Sequence, residues 1–224
     1  VYRAFSPASN GVALDGLTDQ QLDGERSTNF ELGLRGKEGA LSYEVAAFMM
    51  NFSNQVVTGN SDPALSQSNA GKTEHRGMEF MLGYELGAGF SIDSNATWVP
   101  TSEFKSGENQ GNRLPYAPKI IANVALNYQL EQLSAALSAH HRGEQFGNAS
   151  NREDIPANAA GGIWGGLIPS YTVSDLTAQY KLAGNIRVFG SVKNLTDKRY
   201  IAGLRQGIYA GPERSFELGV SYKF

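Results

Sequence analysis

The feature that most constrains this chain is an apolar residue at every second position, repeated in segment after segment. In the clearest case the even positions from Ile120 to Leu130 are apolar, whereas the odd positions include Asn123 and Asn127. Successive side chains of a β-strand point to opposite faces, so a period of two is typical of a strand with one apolar and one polar face. The same alternation recurs over residues 29–35, 78–86, 90–98, 133–140, 175–182, 186–193 and 216–224. The chain is therefore predicted to be all-β.

One segment, residues 40–58, changes phase part-way. Its apolar residues are odd-numbered at the start and even-numbered later, namely Leu41, Tyr43, Val45, Phe48, Met50 and Phe52. An extra residue in a strand shifts the alternation by one, so the sequence predicts a β-bulge near Ala46-Ala47. The even residues beyond the bulge would then share the apolar face, and Asn51, Ser53 and Gln55 would share the polar face.

The connections between these strands are alternately short and long. The short ones are 36–39, 87–89, 131–132 and 183–185, and the long ones are 6–26, 59–72, 105–117, 146–168 and 195–211. Strict alternation of this kind is typical of an up-and-down meander with all its tight turns at one rim. Outer-membrane barrels have this arrangement, with short periplasmic turns and longer extracellular loops.

A soluble β-sandwich or lipocalin-like barrel also has alternating strands. Two sets of residues favour a membrane barrel instead. Aromatic residues lie near the ends of the apolar faces, as an interfacial girdle requires: Tyr84, Trp98, Tyr128, Tyr180 and Tyr222. The polar faces carry charges: Arg35, Glu79, Glu85, Asp93, Arg187 and Lys193. Burying such charges in a dry core costs several kcal/mol each unless they are paired, so the polar face is expected to contact water inside a wide lumen.

Composition excludes several other classes. The 224 residues include no Cys, which rules out a disulfide scaffold and a cysteine-ligated metal centre. The balance of 19 basic and 22 acidic residues gives a net charge of −3, which is unlike a nucleic-acid-binding surface. The apolar run Val45–Met50 is far shorter than the roughly 18 residues of a membrane-spanning helix. Because the chain begins on Val1 as though a strand were already under way, we expect it to be part of a longer one.

Several short blocks, in a fixed order, resemble one known family. They are Glu25–Arg35 (ERSTNFELGLR), Phe52–Gln55 (FSNQ), Lys72–Glu79 (KTEHRGME), Asn112–Pro118 (NRLPYAP), Ile168–Val173 (IPSYTV), Val192–Tyr200 (VKNLTDKRY), Gly207–Pro212 (GIYAGP) and the terminal Phe224. Together they resemble the TonB-dependent outer-membrane receptors, in particular the branch of ferric-citrate receptors.

The resemblance implies a transmembrane up-and-down β-barrel of about 22 strands with a plugged lumen. Residues 1–224 would form its carboxy-terminal part, about ten antiparallel strands, and the plug domain would lie outside this chain. It further implies a location in the lipid of the bacterial outer membrane and uptake of an Fe(III) chelate, ferric citrate or a related siderophore, energised through TonB. Transport of this kind needs no catalytic residue and no cofactor. The alternatives are a passive, porin-like barrel and, from another class, a soluble β-sandwich binding module.

Candidate ligand-binding residues lie at the long-loop rim: Gln55, Arg113, Arg152, Trp164, Arg205 and Gln206. Gln55 falls where the resemblance to ferric-citrate receptors places a ligand-contacting amide. The arginines offer forked, charge-assisted donors to an anionic chelate, and Trp164, within a glycine-rich loop, could stack on a ligand. The alternative for each is a solvated loop residue.

The histidines do not suggest a metal or catalytic site. His140 and His141 are adjacent in a strand and therefore point to opposite faces, so they cannot both bind one ion. Ser138 and His140 share a face, but the sequence specifies no third group for a hydrolase. We therefore predict no enzyme and no metal centre.

Overall fold

The computed structural model describes residues 2–3, 21–58, 67–69, 71–155, 163, 165–182, 185–204 and 207–223. The strands in chain order are β1 (Tyr2–Arg3), β2 (Gln21–Leu22), β3 (Arg26–Glu38), β4 (Leu41–Ser53), β5 (Val56–Thr58), β6 (Gln67–Asn69), β7 (Lys72–Gly87), β8 (Phe90–Phe104), β9 (Ile120–Leu130), β10 (Leu133–Arg142), β11 (Gln145–Phe146), β12 (Leu167–Ile168), β13 (Tyr171–Lys181), β14 (Ile186–Lys193), β15 (Ile201–Leu204), β16 (Ile208–Ala210) and β17 (Ser215–Tyr222). None of the described segments is a helix with the length and apolar character needed to traverse a bilayer.

The long strands form one nine-stranded antiparallel sheet in the order β17-β14-β13-β10-β9-β8-β7-β4-β3. Each long strand pairs with the next one along the chain, which confirms the predicted up-and-down meander. The short strands pair separately as β1-β2, β5-β6, β11-β12 and β15-β16, in or beside the long connections. Tight turns close the other rim at Gly39–Ala40, Ala88–Gly89 and Glu131–Gln132. The predicted short turn at 183–185 lies partly outside the described residues.

One face of the sheet is apolar and uncovered, and we call it the outer face. Phe30, Leu126 and Val220 on this face are 63%, 40% and 68% exposed. A soluble sandwich would bury such residues between two sheets. Their exposure is what the barrel prediction requires, because lipid would cover them.

The opposite, inner face is polar and hydrogen-bonded from strand to strand. Amide nitrogens of Asn123 and Asn127 donate to Asn95 at 2.8 Å and to Asp93 at 2.6 Å. The same kind of contact continues across the sheet with Gln179 to Ser134, Ser191 to Glu217 and Lys193 to Asp175. Asp93, Asp175, Lys193 and Glu217 therefore have polar partners on this face, as expected for the wall of a lumen rather than a dry core.

The outer face has a band of apolar residues with aromatic borders. Tyr84 and Tyr128 lie near the short turns, and Trp98 lies toward the long loops, nine residues along from Phe90 when both ends are counted. A tilted transmembrane strand needs about 9–11 residues. The membrane-crossing segments are therefore residues 78–86 of β7 and 90–98 of β8, and residues 71–77 and 99–119 lie beyond the band on the loop side.

The predicted bulge near Ala46-Ala47 is wrong. The register of β4 is unbroken on both sides, from Leu41 to Ser53. The shift lies instead between β7 and β8, where Arg76 pairs with Thr101 but Met78 pairs with Trp98. Two residues of β8, Val99 and Pro100, therefore face Gly77 alone.

The change in apolar alternation over residues 40–58 therefore does not come from a bulge in β4. Because paired residues share a face, Phe48 and Phe52 lie on the inner face with Gly77 and Thr73, and Asn51 lies on the outer face with Glu74. The expectation that the even residues turn to lipid is wrong, and so is the inward placement of Asn51 and Ser53. Phe48 packs over the empty position of Gly77, so it has a protein partner that alternation alone does not reveal.

The most buried side chains lie at the loop end of the sheet, not between layers. Phe104, Leu114 and Ala149 form a small core there, and Ile168 and Leu204 are each 1% exposed. These residues come from the end of β8 and from three of the long connections, so the loops pack on one another at the loop end of the sheet.

Candidate ligand-binding site

Tyr116 joins the long connections at the loop end. Its backbone N–H donates to the carbonyl of Phe146 at 2.9 Å, and its hydroxyl donates to the carbonyl of Leu204 at 2.9 Å. The N–H of Leu204 returns a hydrogen bond to the same hydroxyl at 3.2 Å. Residues 105–117, 143–155 and 201–204 are thus held against one another by the backbone and side chain of one residue.

Arg113 is inserted into the backbone next to the bulge. Its guanidinium donates to the carbonyl oxygens of Val99 (2.5 Å), Pro100 (3.0 Å) and Ala117 (2.6 Å). Burial lowers the pKa of Arg113, although Glu103 opposes this effect, and the group still remains a cation because an arginine pKa lies so high. These contacts fix the bulged end of β8 and leave only part of the fork for a ligand, so the ligand role of Arg113 stays a prediction.

Asn151 connects the same segment to the next loop. Its Oδ1 accepts from the N–H of Arg113 at 2.6 Å and its Nδ2 donates to the carbonyl of Arg113 at 2.7 Å. Asn112 adds a donation to the carbonyl of Ala149 at 2.9 Å. The amide group of Asn151 pairs with Arg113 as a strand neighbour would, and the two loops therefore form one wall.

Gln55 lies on the inner side of the loop rim, as predicted. Its position does not come from a bulge in β4, however. Asn54 has a φ of 57°, a left-handed conformation that interrupts the strand alternation after β4. The Thr73 hydroxyl then donates to Gln55 Oε1 at 2.5 Å, and Thr73 shares the inner face with Phe52. A contact between Gln55 and a ligand remains a prediction.

Arg152 is exposed and paired. Its Nε and Nη2 donate to both carboxylate oxygens of Asp154 at 3.2 and 2.8 Å. The hydrogen bond raises the pKa of Arg152 and lowers that of Asp154. A chelate would have to displace Asp154 to use this fork. The other candidates, Trp164, Arg205 and Gln206, lie outside the described residues.

His75 is a site residue that the sequence did not single out. Its ring meets Phe52 edge-on at 5.5 Å between centroids, and its Nδ1 shares a 3.0 Å hydrogen bond with the hydroxyl of Ser102, which is 1% exposed. The bulge makes this pairing, since it places Ser102 opposite His75 on the inner face. No local sequence pattern predicts the pairing of Ser102 with His75.

The environment of His75 makes the stability of this region pH-dependent. Burial, and then the charge of Arg113, lower the pKa of His75 below its ordinary value of 6.5. When the pH falls, the unfolded chain binds a proton before the folded chain does, so stability is lost from about pH 6.5 downward. We expect the free energy of unfolding of the His75→Gln variant to depend less steeply on pH than that of the parent protein. Urea unfolding between pH 7.5 and 5.5 would measure both. An equal slope in both proteins would assign the effect to other groups.

The polar cluster around His140 is not a catalytic triad. Ser138 Oγ lies 3.3 Å and Asp175 Oδ2 lies 3.8 Å from the same nitrogen, Nε2, whereas Nδ1 faces Asn123 at 2.8 Å. A triad needs the serine and the carboxylate on opposite nitrogens. Across the described ranges, no three His, Asp or Glu side chains are grouped to hold a metal ion.

A family model described as the TonB dependent receptor-like β-barrel matches residues 2–195. The match covers the strands from β1 to β14, including the bulge and the loop-wall residues Arg113, Tyr116 and Asn151. The chain belongs to the TonB-dependent receptor β-barrel family. This confirms the resemblance read from the sequence blocks.

Individual relatives match most or all of the chain but are much longer. The chain is 29% identical to the ferric enterobactin receptor PirA of Pseudomonas aeruginosa, over 97% of this chain and 30% of that protein. It is 24% identical to the probable TonB-dependent siderophore receptor PiuA of Acinetobacter baumannii, over 100% of this chain and 32% of that protein. The unliganded ferric citrate transporter FecA superposes with a TM-score of 0.74 and 27% identity, covering 88% of this chain and 31% of its own. The chain thus spans about a third of the length of these relatives.

The family assignment settles two further expectations. Members of this family lie in the outer membrane of Gram-negative bacteria, which confirms the predicted location. The relatives are transport receptors rather than enzymes, which confirms the prediction that the protein is not an enzyme.

Proposed function

We propose that this chain is part of a receptor that imports an iron chelate across the outer membrane, with TonB supplying the energy. The match of the family model over residues 2–195 carries the proposal. We further propose that residues 1–224 form a carboxy-terminal part of the barrel and that the plug and the TonB-contacting segment belong to the rest of the receptor.

The proposed ligand is ferric citrate or a related carboxylate siderophore. Support comes from the likeness to FecA, a ferric citrate transporter, and from the inward amide of Gln55 at the loop rim. The relative PirA, in contrast, is a ferric enterobactin receptor, so the test must compare chelates. No covalent step is involved; the receptor binds the chelate and changes conformation.

Uptake by cells tests the proposal directly. The full-length receptor would be the sole outer-membrane iron receptor of a host, and cells would receive radiolabelled iron as the citrate or the enterobactin complex. We expect saturable uptake of the citrate complex that is lost when TonB is deleted. Uptake that persists without TonB would indicate a passive barrel. TonB-dependent uptake of the enterobactin complex alone would retain the receptor class and overturn the ligand.

Gln55 offers a residue-level test of the ligand site. Replacing a side chain that hydrogen-bonds a ligand costs about 1–3 kcal/mol, so Gln55→Ala should weaken binding of the chelate by about 5- to 150-fold. Binding would be measured by fluorescence titration of the purified full-length receptor with ferric citrate. The matched control is Gln110→Ala, since Gln110 is exposed in the 105–111 loop tip. Equal affinities of both variants and the parent would remove Gln55 from the site.

A further inference from the structure

The charges of the inner face are divided unevenly between its two halves. Strand register identifies the side chains that point inward, because paired residues share a face. The half built from β3, β4, β7 and β8 has five inward carboxylates and two inward cations: Glu31, Glu44, Glu79, Glu85, Asp93, Arg35 and Lys37. The half built from β9, β10, β13, β14 and β17 has four inward cations and two inward carboxylates: Arg142, Lys181, Arg187, Lys193, Asp175 and Glu217. We call these the acidic half and the basic half.

The cations of the basic half follow one another from the loop rim to the short-turn rim. Arg142 pairs with the first residue of β13 and Arg187 with the last, so they are about 33 Å apart along the strand. Lys193 lies between these two levels, with its Nζ 3.5 Å from a carboxylate oxygen of Asp175. An anion that moves along this half is therefore always within about 10 Å, measured along the strand, of the level of a cation.

A depression in the basic half lies between Lys193 and Arg187. Its volume is about 820 Å³, which is within the range of small-molecule sites. Several of the side chains that line it are short, among them Ser134, Ala136 and Thr177, and they leave room above the backbone. The depression is therefore large enough to hold a metal chelate against the sheet.

The acidic half has a smaller depression with the opposite balance of charge. Its volume is about 400 Å³, and its charged lining residues are Glu44, Asp93 and Arg35. A cleft lined by charges of one sign concentrates ions of the other sign and repels its own. An anionic cargo is therefore attracted to the basic half and repelled by the acidic half.

The two cations that border the larger depression differ in how far they are neutralised. Lys193 shares the carboxylate of Asp175, which also accepts from the N–H of Asn194 at 2.8 Å. Arg187 is exposed and, among the described residues, no carboxylate oxygen lies within 4.0 Å of its guanidinium. A guanidinium offers carboxylates a fork of donors. Arg187 is therefore the cation of this half that is best placed to bind an anionic chelate.

We propose that the anionic chelate passes along the basic half of the inner face on its way from the loop rim to the periplasm, and that Arg187 binds it near the end of this passage. The inference rests on the proposed function, because it takes the negative charge of the cargo from there. Charge complementarity favours the chelate as the occupant of the depression. A contact between Arg187 and the plug domain is the alternative that the test must separate.

Uptake of radiolabelled ferric citrate by cells that carry the full-length receptor tests the inference. We expect Arg187→Gln to lower the maximal rate of TonB-dependent uptake by about three- to tenfold. The Kd for ferric citrate, from fluorescence titration, should stay unchanged because Arg187 lies far from the loop rim. Arg187→Lys keeps the charge and should keep most of the rate. The matched control is Arg35→Gln, which removes an exposed inward cation near the same rim in the acidic half and should change neither quantity.

Two further measurements separate the passage from the plug and from misfolding. Entry of vancomycin, which is too large for a plugged barrel, would show that Arg187→Gln has loosened the plug, and this result would overturn the inference. Glu217→Gln removes a carboxylate from the depression and should raise the rate of uptake, a gain that misfolding cannot produce. Rates would be normalised to the amount of receptor in the outer membrane.

The outcomes distinguish failure of this inference from failure of the proposed function. A parent receptor without TonB-dependent uptake of ferric citrate would overturn the proposed function and this inference together. A parent with normal uptake and an Arg187→Gln variant with the same rate would overturn the inference alone. Equal losses in Arg187→Gln and Arg187→Lys would also overturn it, because the positive charge would then have no effect on passage.

Discussion

Asn194→Ala is expected to lower the free energy of unfolding by about 3 kcal/mol. Asn194 is 5% exposed and joins two parts of the loop rim. Its Oδ1 accepts from the N–H of Lys198 at 2.8 Å, and its Nδ2 donates to the carbonyls of Lys198 and Pro212 at 2.9 and 3.0 Å. Alanine leaves these groups without partners and must also hold a φ of 50°, which costs about 1–2 kcal/mol in the left-handed region.

Two comparisons separate the side chain from the backbone. Asn194→Gly removes the same hydrogen bonds but adopts positive φ freely, so it should lose about 1 kcal/mol less than the alanine variant. Asn185→Ala is the matched control, because Asn185 is exposed and has a φ of 63°. Urea unfolding of the full-length receptor in detergent would provide the values. If Asn185→Ala costs as much as Asn194→Ala, the three side-chain hydrogen bonds contribute nothing measurable.

The strands and their order could be predicted from the sequence because period-two alternation is a local property. Each tight turn is also local, as Glu131 and Gln132 between β9 and β10 illustrate. The faces of eight strand segments therefore followed from the alternation alone, and so did the outward placement of Phe30, Leu126 and Val220. Only β4 was misread, since an apolar residue can face either lipid or a glycine of its neighbour.

The loop wall could not be predicted, because its contacts join residues far apart in the chain. Asn151 meets Arg113 across 38 positions, and Tyr116 meets Leu204 across 88. Nothing near Arg113 in the sequence distinguishes an arginine that will bind a carboxylate from one that will bind backbone carbonyls. Both uses exploit the same planar fork. The sequence placed Arg113 at the right rim of the barrel, and the fold determined which oxygens it meets.

The second large effect is expected at Gly77, where β8 is bulged. A Cβ added at Gly77 would lie 2.6 Å from Cζ of Phe48 and 2.7 Å from the carbonyl oxygen of Trp98. Overpacking of this kind costs about 1–3 kcal/mol. The phenyl ring can turn aside, but the carbonyl belongs to the bulged backbone and cannot move without shifting the register. We therefore expect Gly77→Ala to lower the free energy of unfolding by about 3 kcal/mol, the upper end of this range. Urea unfolding would measure the loss.

A double variant distinguishes the two clashes. In the Phe48→Ala variant, which lacks the ring, adding Gly77→Ala should still lower stability, but by less than it does in the parent, because the contact with Trp98 remains. The matched control, Gly203→Ala, should change stability by less than about 0.5 kcal/mol, since nothing lies within 4 Å of its added Cβ. If adding Gly77→Ala to the Phe48→Ala variant costs nothing, the ring alone requires glycine. The bulge, and with it the pairing of Ser102 with His75, would then need another cause.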